Sequence, residues 1–333
     1  MKEKYSNIQV MRDLPKIHDQ LVALIGGREF HYVDVPVYGN IGDLLIMHGT
    51  LEFFRKNNLF PKTISPFHSF EPSWIKNGDV VLFQGGGNFG DLYEDHQRLR
   101  ERIIVEKPDN RIIILPQSIY FRDPKRKLHS ENIFRLHSDV HICVRDTESQ
   151  ALALRFSENV YLMPDMAHHL YPIAYNKKKG GREILQLRRV DNEKVAKPEL
   201  NQNIQDTITD WPILIGRAGT NRLLFFSWLW RKSFGIKRHI KINKIIFFAW
   251  KIYSKSLIKK AVNLFGSHQM VITDRLHAHI LACLMDKNNV VLDNSYGKNS
   301  TYVASWTGIS ELVSGDFVAQ PESPVPRPAI VNG

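Results

Sequence analysis

Short, continuous apolar runs that alternate with helical stretches are the feature that most constrains how this chain can fold. A strand that is apolar at every position must be covered on both faces, which is the property of a parallel sheet with helices packed on each side. The first half therefore predicts an α/β unit. The expected strands cover 31–37, 79–84, 111–116 and 140–144, and the expected helices cover 43–57, 93–106, 130–138 and 147–156.

The second half repeats this alternation less regularly, after a break rich in Gly and Lys at 176–182. Two α/β domains that face a cleft are the expected architecture. We expect an N-terminal domain at 1–175, a C-terminal domain at 183–318 and a proline-rich tail at 319–333. The expected elements of the second domain are strands at 183–190, 270–273 and 290–293 and a helix at 277–285.

Two loops of the pattern Gly-Asn-x-Gly-Asp follow successive strands of the first half. Glycines let the backbone come close to a ligand, and the carboxyl ends of parallel strands are where such sheets bind ligands. A tight packing corner is the alternative for the second loop, and for Asp43 alone a helix cap is favoured. Neither loop has the spacing of a dinucleotide fingerprint or a P-loop. The candidate cleft residues are Gly39, Asn40, Gly42, Asp43, Gly86, Gly87, Asn88 and Asp91.

Two further polar residues, Gln117 and Arg145, stand at the ends of later strands of the first half, and Asp165 follows among the turn residues that close this half. The planar guanidinium of Arg145 matches a carboxylate or a phosphate, and an ion pair with Asp146 or Glu148 is the alternative. Two adjacent histidines follow at 168–169, but no third ligand has a suitable spacing. We therefore expect no metal site.

The segment 273–279 combines an arginine with histidines where a strand leads into a helix. Arg275 and His277 alternate around Leu276, so both polar groups can face the cleft while the leucine anchors the turn. An imidazole exchanges protons near neutral pH, which makes His277 the candidate acid and His279 the alternative. Lys298 brings a further cation to the same edge after the next strand.

The composition indicates where the protein works and what it binds. A formal net charge of +11 favours anionic partners. Cys143 and Cys283 lie in apolar segments and are expected to be buried and reduced. No apolar run approaches the ~20 residues that span a bilayer, and the N-terminus lacks an export signal. We expect an intracellular, cytoplasmic protein.

The segment 222–253 interleaves aromatic and aliphatic clusters with Arg and Lys. This mixture suits a helical surface that contacts anionic lipid from one side, at the inner face of the membrane. Two ordinary core helices with basic outer faces are the alternative. Nucleic acid is not an expected partner, because the basic residues cluster with large apolar runs instead of forming a solvent-facing stripe.

Taken together, these motifs resemble the polysaccharide pyruvyltransferase family, in particular its bacterial exopolysaccharide branch. Each motif is weak alone, but together they follow the family's order over roughly residues 30–310. The matching segments are 38–43, 84–91, 115–118, 145–146, 164–165, 275–277 and 296–298.

The resemblance implies two Rossmann-like domains, similar to glycosyltransferases of the GT-B type, and phosphoenolpyruvate as co-substrate without any other cofactor. It implies that Arg275 and Leu276 bind this donor, that His277 is the acid, and that Arg145 and Lys298 add donor contacts. The product would be a pyruvate ketal on an exopolysaccharide or its lipid-linked precursor. No family signature is found between 177 and 269, the region from which acceptor contacts could come.

Two other functions fit the same elements. A GT-B nucleotide-sugar glycosyltransferase also uses twin α/β domains with glycine-rich strand ends. A non-catalytic envelope-assembly protein could recruit enzymes through the basic aromatic segment, but it would have no use for the Arg-Leu-His element.

Overall fold

A computed structural model describes residues 4–176, 182–189, 207–233, 239–293 and 298–315. Over these residues the chain forms two parallel sheets with helices packed against them, which confirms the predicted α/β class. The strands of the first sheet are β1 (Phe30–Val33), β2 (Thr63–Ser65), β3 (Val80–Phe83), β4 (Gly86–Gly90), β5 (Ile112–Tyr120), β6 (Val140–Val144) and β7 (Asn159–Leu162). Their order is β2-β1-β3-β5-β6-β7, and β4 pairs with the outer part of β5.

Continuous burial explains why the central strands were visible in the sequence. Every residue of β1, β3 and β6 is buried, including Cys143, as expected for strands covered on both faces. The first strand is shorter than expected, because Asp34 takes a left-handed φ of 69° and turns the chain directly after Val33. β2 and β4 were not predicted, since one has three residues and the other is mostly glycine.

Side-chain caps set the starts of several helices in the first half. Asp123 accepts a hydrogen bond from the amide of Lys125, so the helix expected at 130–138 begins six residues earlier, at Pro124. Asp146 caps the next helix in the same way. These helices are α1 (Asn7–Asp13), α2 (Asp19–Ile25), α3 (Ile41–Lys56), α4 (Glu94–Glu106), α5 (Pro124–Arg135) and α6 (Thr147–Ala153).

The second sheet is also parallel in all its pairings. Its strands are β8 (Arg182–Leu187), β9 (Thr207–Thr209), β10 (His268–Thr273), β11 (Asn288–Val291) and β12 (Val313–Ser314), in the order β12-β11-β10-β8-β9. The accompanying helices are α7 (Trp211–Ser233), α8 (His239–Gly266), α9 (Leu276–Leu284) and α10 (Lys298–Tyr302). The helices α7 and α8 are long and pack against each other.

One apolar core joins the two halves. The same cluster contains Leu44 of α3, Met166 beyond β7, Phe265 of α8 and Ala278 of α9. The N-terminus also crosses over, since Tyr5 donates its amide to Ile309 O at 2.8 Å. The domain boundaries therefore stay a prediction, and the tail and most of the proposed linker lie outside the described residues.

Candidate active site

Three predicted site residues meet where the two halves touch. Arg145 directly follows β6, Asp165 follows β7, and His277 is the second residue of α9. Arg145 Nη1 donates to Asp165 Oδ2 at 2.6 Å, and His277 Nε2 lies 3.1 Å from the same oxygen. Arg145 Nη1 and His277 Nε2 are 3.4 Å apart. A cation, a carboxylate and an imidazole from different elements thus converge on one point.

Arg145 is held in place by several neighbours. Its Nε donates to Ser118 Oγ at 2.9 Å, and Ser118 in turn donates to Asp146 Oδ2 at 2.7 Å. Trp306 Nε1 donates to the carbonyl oxygen of Arg145 at 2.8 Å. Asp146 therefore acts on Arg145 through Ser118 and caps α6, and the guanidinium pairs directly with Asp165.

Two buried carboxyl groups flank the imidazole, and their pKa values move in opposite directions. Burial opposes ionisation of Asp165, but His277 and Arg145 lower its pKa well below the usual range. Burial raises the pKa of Asp43 above its ordinary value, although His277, the Tyr38 hydroxyl and Arg145 oppose this. The site thus holds one firmly ionised carboxylate and one group that is easier to protonate, a pattern typical of acid–base sites.

The first glycine loop packs directly against His277. A Cβ atom at position 42 would lie 2.6 Å from His277 Nδ1, so only glycine leaves room for this imidazole. Asn40 caps α3 by accepting from the amide of Gly42 at 3.0 Å, and it donates to Asp43 Oδ2 at 2.8 Å. The expectation that Asp43 caps the helix was wrong, because Asn40 takes that role. Gly39 faces α7 instead.

The second glycine loop contacts the same cluster. A Cβ atom at Gly86, where φ is 131°, would lie 3.4 Å from Asp43 Oδ1, and one at Gly87 would lie 3.5 Å from Arg145 Nη2. Gly90 fits the alternative of a packing corner, since a Cβ there would collide with the carbonyl of Tyr120. Asp91 lies apart from this contact, because its carboxylate accepts backbone amides at the start of the α5 segment.

Two amide side chains hold the second loop. Gln117 Nε2 donates to Gln84 O at 2.8 Å and to Asn88 Oδ1 at 2.9 Å. Gln117 Oε1 accepts a hydrogen bond from the backbone N–H of Asn88 at 3.2 Å. Both residues are buried, so these hydrogen bonds fix the loop from the protein interior.

The other residues predicted to bind the donor have different surroundings from those of Arg145. The guanidinium of Arg275 forms a two-pronged ion pair with the fully buried Asp210, in which Nη2 and Oδ2 are 2.6 Å apart. Asp210 could not be predicted as this partner, because it stands 65 residues away in the sequence and belongs to no motif. Leu276 packs against the main core. Lys298 begins α10, and its side chain lies outside the described part of the structure.

The other histidines near these segments have structural partners. His279, the alternative acid, contacts Asn289 Oδ1 at 2.6 Å and Thr307 Oγ1 at 2.7 Å, and burial lowers its pKa to about 4. His168 Nε2 contacts the Tyr302 hydroxyl at 2.8 Å. Within the described ranges, no group of three or more His, Cys, Asp or Glu side chains could hold a metal ion.

The segment 222–253 is partly core and partly surface. Trp230 and Trp250 are fully buried, which fits the alternative of core helices for these two positions. Trp228 is 52% exposed and stacks with Phe225. In the part of the chain that the structure describes, no helix is both long enough and apolar enough to cross a bilayer.

A pocket of about 380 Å³ lies between α7 and the first glycine loop. Its walls are largely apolar, and only a few residues contribute polar groups. The lining residues include Tyr38, Gly39, Phe67, His68, Leu223 and Arg231.

Comparison with known proteins agrees with these motifs. Residues 40–296 match the sequence pattern of the family described as polysaccharide pyruvyl transferase. A Bacillus subtilis protein named as a pyruvyl transferase, EpsO, is 34% identical over 310 residues, covering 92% of this chain and 93% of its own. Pyruvyl transferase 1 of Schizosaccharomyces pombe is 28% identical and covers 68% of this chain and 54% of its own. A functionally uncharacterised Klebsiella pneumoniae protein shares the fold, with a TM-score of 0.59 at 21% identity, over 92% of this chain and 99% of that one.

Proposed function

Because this chain belongs to the polysaccharide pyruvyl transferase family, we propose that it moves the enolpyruvyl unit of phosphoenolpyruvate onto a saccharide and forms a pyruvate ketal. The observation that carries this proposal is the contact of Arg145, Asp165 and His277 within 3.4 Å. An anion-binding group and a proton donor next to each other are what this donor requires.

Donor binding follows from the position of Arg145. Phosphoenolpyruvate carries a carboxylate and a phosphate, and a guanidinium binds either through paired hydrogen bonds. Because Arg145 Nη1 and His277 Nε2 are 3.4 Å apart, an anion held by Arg145 lies within reach of the imidazole. Arg275 and Lys298 would supply further positive charge, and the backbone of Gly87 would allow close approach beside Arg145.

The reaction balances with the residues assigned. His277 protonates the methylene carbon of the donor while a sugar hydroxyl attacks the adjacent carbon and gives its proton to a base. Exchange with solvent then removes the proton from that base and returns one to His277. The carbon–oxygen bond to phosphate then breaks, and a second hydroxyl of the same sugar closes the ring. The proton of this second hydroxyl leaves with the phosphate. Cationic side chains stabilise the charge on the departing group.

Asp165 would keep His277 ready for this step. Its pKa is held low by His277 and Arg145 despite burial, so it remains a carboxylate at neutral pH. A carboxylate 3.1 Å from Nε2 fixes the orientation of the ring.

The acceptor is the sugar of an exopolysaccharide or of its lipid-linked precursor. In this proposal the two α/β units face each other across a cleft, as in GT-B enzymes, with the donor at the Arg145 cluster and the acceptor entering past α7. The largely apolar pocket beside Tyr38 and Gly39 adjoins this route. No cofactor takes part.

A lipid-linked acceptor would bring the protein to the inner face of the membrane. Among the described residues of 222–253, six large apolar side chains of α7 and α8 are at least half exposed: Leu224, Phe225, Trp228, Ile245, Phe248 and Ile252. The same two helices carry exposed basic residues, namely Arg222, Arg231, Lys241, Lys244, Lys251 and Lys255. Each basic residue near an anionic leaflet contributes about 1 kcal/mol, so the two helices would bind reversibly without crossing.

Substitution of His277 tests the catalytic proposal. His277→Gln should keep the fold and the rise in melting temperature on adding phosphoenolpyruvate, but should lower turnover about a hundredfold or more. A deletion strain that expresses the variant provides the polymer, and mass spectrometry of its pyruvate ketal content is the measure of turnover. Stabilisation by a nucleotide sugar and not by phosphoenolpyruvate would instead favour a glycosyltransferase.

A further inference from the structure

A second carboxylate–histidine pair lies at the same edge of the first sheet, and the reaction above gives it no role. Asp34 directly follows β1, and its Oδ1 lies 2.5 Å from His96 Nδ1 on α4. Its other oxygen accepts from Asn88 Nδ2 at 3.0 Å and from Arg100 Nη2 at 3.2 Å. All four side chains are buried.

This arrangement is costly for a purely structural contact. Asp34 has a left-handed φ of 69°, which costs a non-glycine residue about 1 kcal/mol or more. Burial also opposes its ionisation, but His96 and Arg100 lower its pKa below the ordinary value. An ionised Asp34 accepts the Nδ1 proton of His96 and so leaves a lone pair on Nε2.

Two other carboxylate–histidine pairs in the molecule provide a comparison. In His31 both ring nitrogens are occupied, by Thr63 at 2.7 Å and Asp79 at 3.0 Å. In His141 they contact the Tyr161 hydroxyl at 3.1 Å and Asp139 at 2.8 Å. His96 differs, because no described residue forms a hydrogen bond with its Nε2. Its side chain also retains 10% exposure.

Tyr38 links His96 to both the pocket and the acid site. The rings of Tyr38 and Phe67, which both line the pocket, pack on its imidazole at centroid distances of 6.3 and 4.3 Å. The Tyr38 hydroxyl reaches the carboxyl of Asp43, the neighbour of His277. His96 is therefore separated by a single side chain, Tyr38, from both the pocket and the carboxyl beside His277.

We propose that His96, oriented by Asp34, is the general base that accepts the proton of the attacking acceptor hydroxyl, and that the acceptor sugar binds beside Tyr38, between His96 and the donor cluster. This inference rests on the proposed ketal-forming reaction. The hydroxyl proton moves to Nε2 as the new carbon–oxygen bond forms, while His277 supplies a proton to the methylene carbon. Acid and base then exchange protons with solvent before the next turnover.

Two substitutions separate the base from a structural role. His96→Asn keeps an amide donor at the position of Nδ1 for Asp34 but removes Nε2, and His96→Gln fills more of the ring volume without a base. His141→Gln is the matched control, since it also breaks a carboxylate–histidine pair of this sheet, at the opposite end of its strand. Phosphate release from phosphoenolpyruvate is measured with lipid extract of the deletion strain as acceptor.

Both His96 variants should lower kcat about a hundredfold, while the shift in melting temperature caused by phosphoenolpyruvate changes little. The control should stay within about threefold of wild type. The wild-type rate should also fall on the acidic side of its pH profile, and the variants should lose that dependence. The charged and titratable groups facing His96 are Asp34, Tyr38, His68, Tyr93 and Arg100.

The outcomes distinguish this inference from the reaction on which it depends. If wild-type protein forms the ketal and both folded His96 variants retain its rate and pH profile, the assignment of the base is overturned. If wild-type protein forms no ketal with any extract, the proposed function itself fails. A loss of rate in either variant that folds, with donor binding and the control intact, supports the base.

Discussion

Adding one methyl group at Gly42 should displace His277 while leaving the fold in place. Gly42 is the second residue of α3, and a Cβ atom there would lie 2.6 Å from His277 Nδ1 and 2.8 Å from its Cβ and Cγ. Contacts this short force either the helix or the imidazole to move. Because α3 is buried in the core that joins both halves, we expect the imidazole to move.

The two energetic effects of Gly42→Ala oppose each other. Overpacking a buried contact typically costs about 1–3 kcal/mol, whereas Ala is favoured over Gly within a helix by up to about 1 kcal/mol. The free energy of unfolding should therefore fall by about 0–3 kcal/mol, which leaves the protein folded. Catalysis should suffer more, because a displacement of about 1 Å at a reacting group can lower the rate about a hundredfold.

Urea unfolding and phosphate release from phosphoenolpyruvate, with lipid extract as acceptor, measure the two effects. The control is a double-mutant cycle with His277→Ala. In the His277→Ala background, Gly42→Ala should lower the free energy of unfolding by less, because Nδ1 and Cγ of the imidazole are gone. We expect a coupling energy of about 0.5–2 kcal/mol. Wild-type turnover of Gly42→Ala, together with an equal cost in both backgrounds, would refute the contact.

Three further predictions concern other parts of the site. Asp165→Asn should cost about 3–5 kcal/mol of unfolding free energy at pH 7, because it leaves buried cationic partners unpaired. Because folding lowers the pKa of Asp165, the stabilisation that its carboxylate provides is complete above about pH 4 and is lost as the pH falls further. The free energies of unfolding of wild type and variant, measured by urea titration, should therefore converge as the pH falls below about 4. Arg275→Ala should weaken phosphoenolpyruvate binding about tenfold or more by calorimetry and also destabilise the fold by removing the ion pair with the buried Asp210, so unchanged affinity would count against its donor role. Trp228→Ser should reduce co-sedimentation with anionic liposomes without changing the melting temperature, whereas the buried Trp230→Ser should destabilise the protein; equal sedimentation of Trp228→Ser and wild type would contradict the membrane contact.

The α/β class and most strand and helix positions could be predicted from the sequence. The strand at 140–144 was predicted with its observed bounds, because a continuous apolar run flanked by polar residues is a strong local signal. Short or glycine-rich strands were missed, since their pairing comes from neighbours and not from their own residues. The start of α5 was misplaced, because the cap at Asp123 was overlooked.

The candidate site shows the same division. Arg145, Asp165 and His277 were identified singly, because Arg145 and His277 are ionisable side chains that follow predicted strands and Asp165 is a carboxylate in a predicted turn. The partner of Arg275 and the orientation of Trp230 could not be predicted. Asp210 has no motif, and the apolar spacing of α7 does not say which face packs on α8.

Local sequence determined which chemical groups stand at the strand ends, because apolar runs and glycine loops act over a few residues. Only the tertiary structure decided which of those groups meet. His277 lies beside Arg145, 132 positions earlier in the chain, and His96 is held by Asp34 while its Nε2 has no partner among the described residues. Contacts of this kind depend on how two sheets share one core, and side-chain packing over long sequence separations leaves no periodic trace in the sequence.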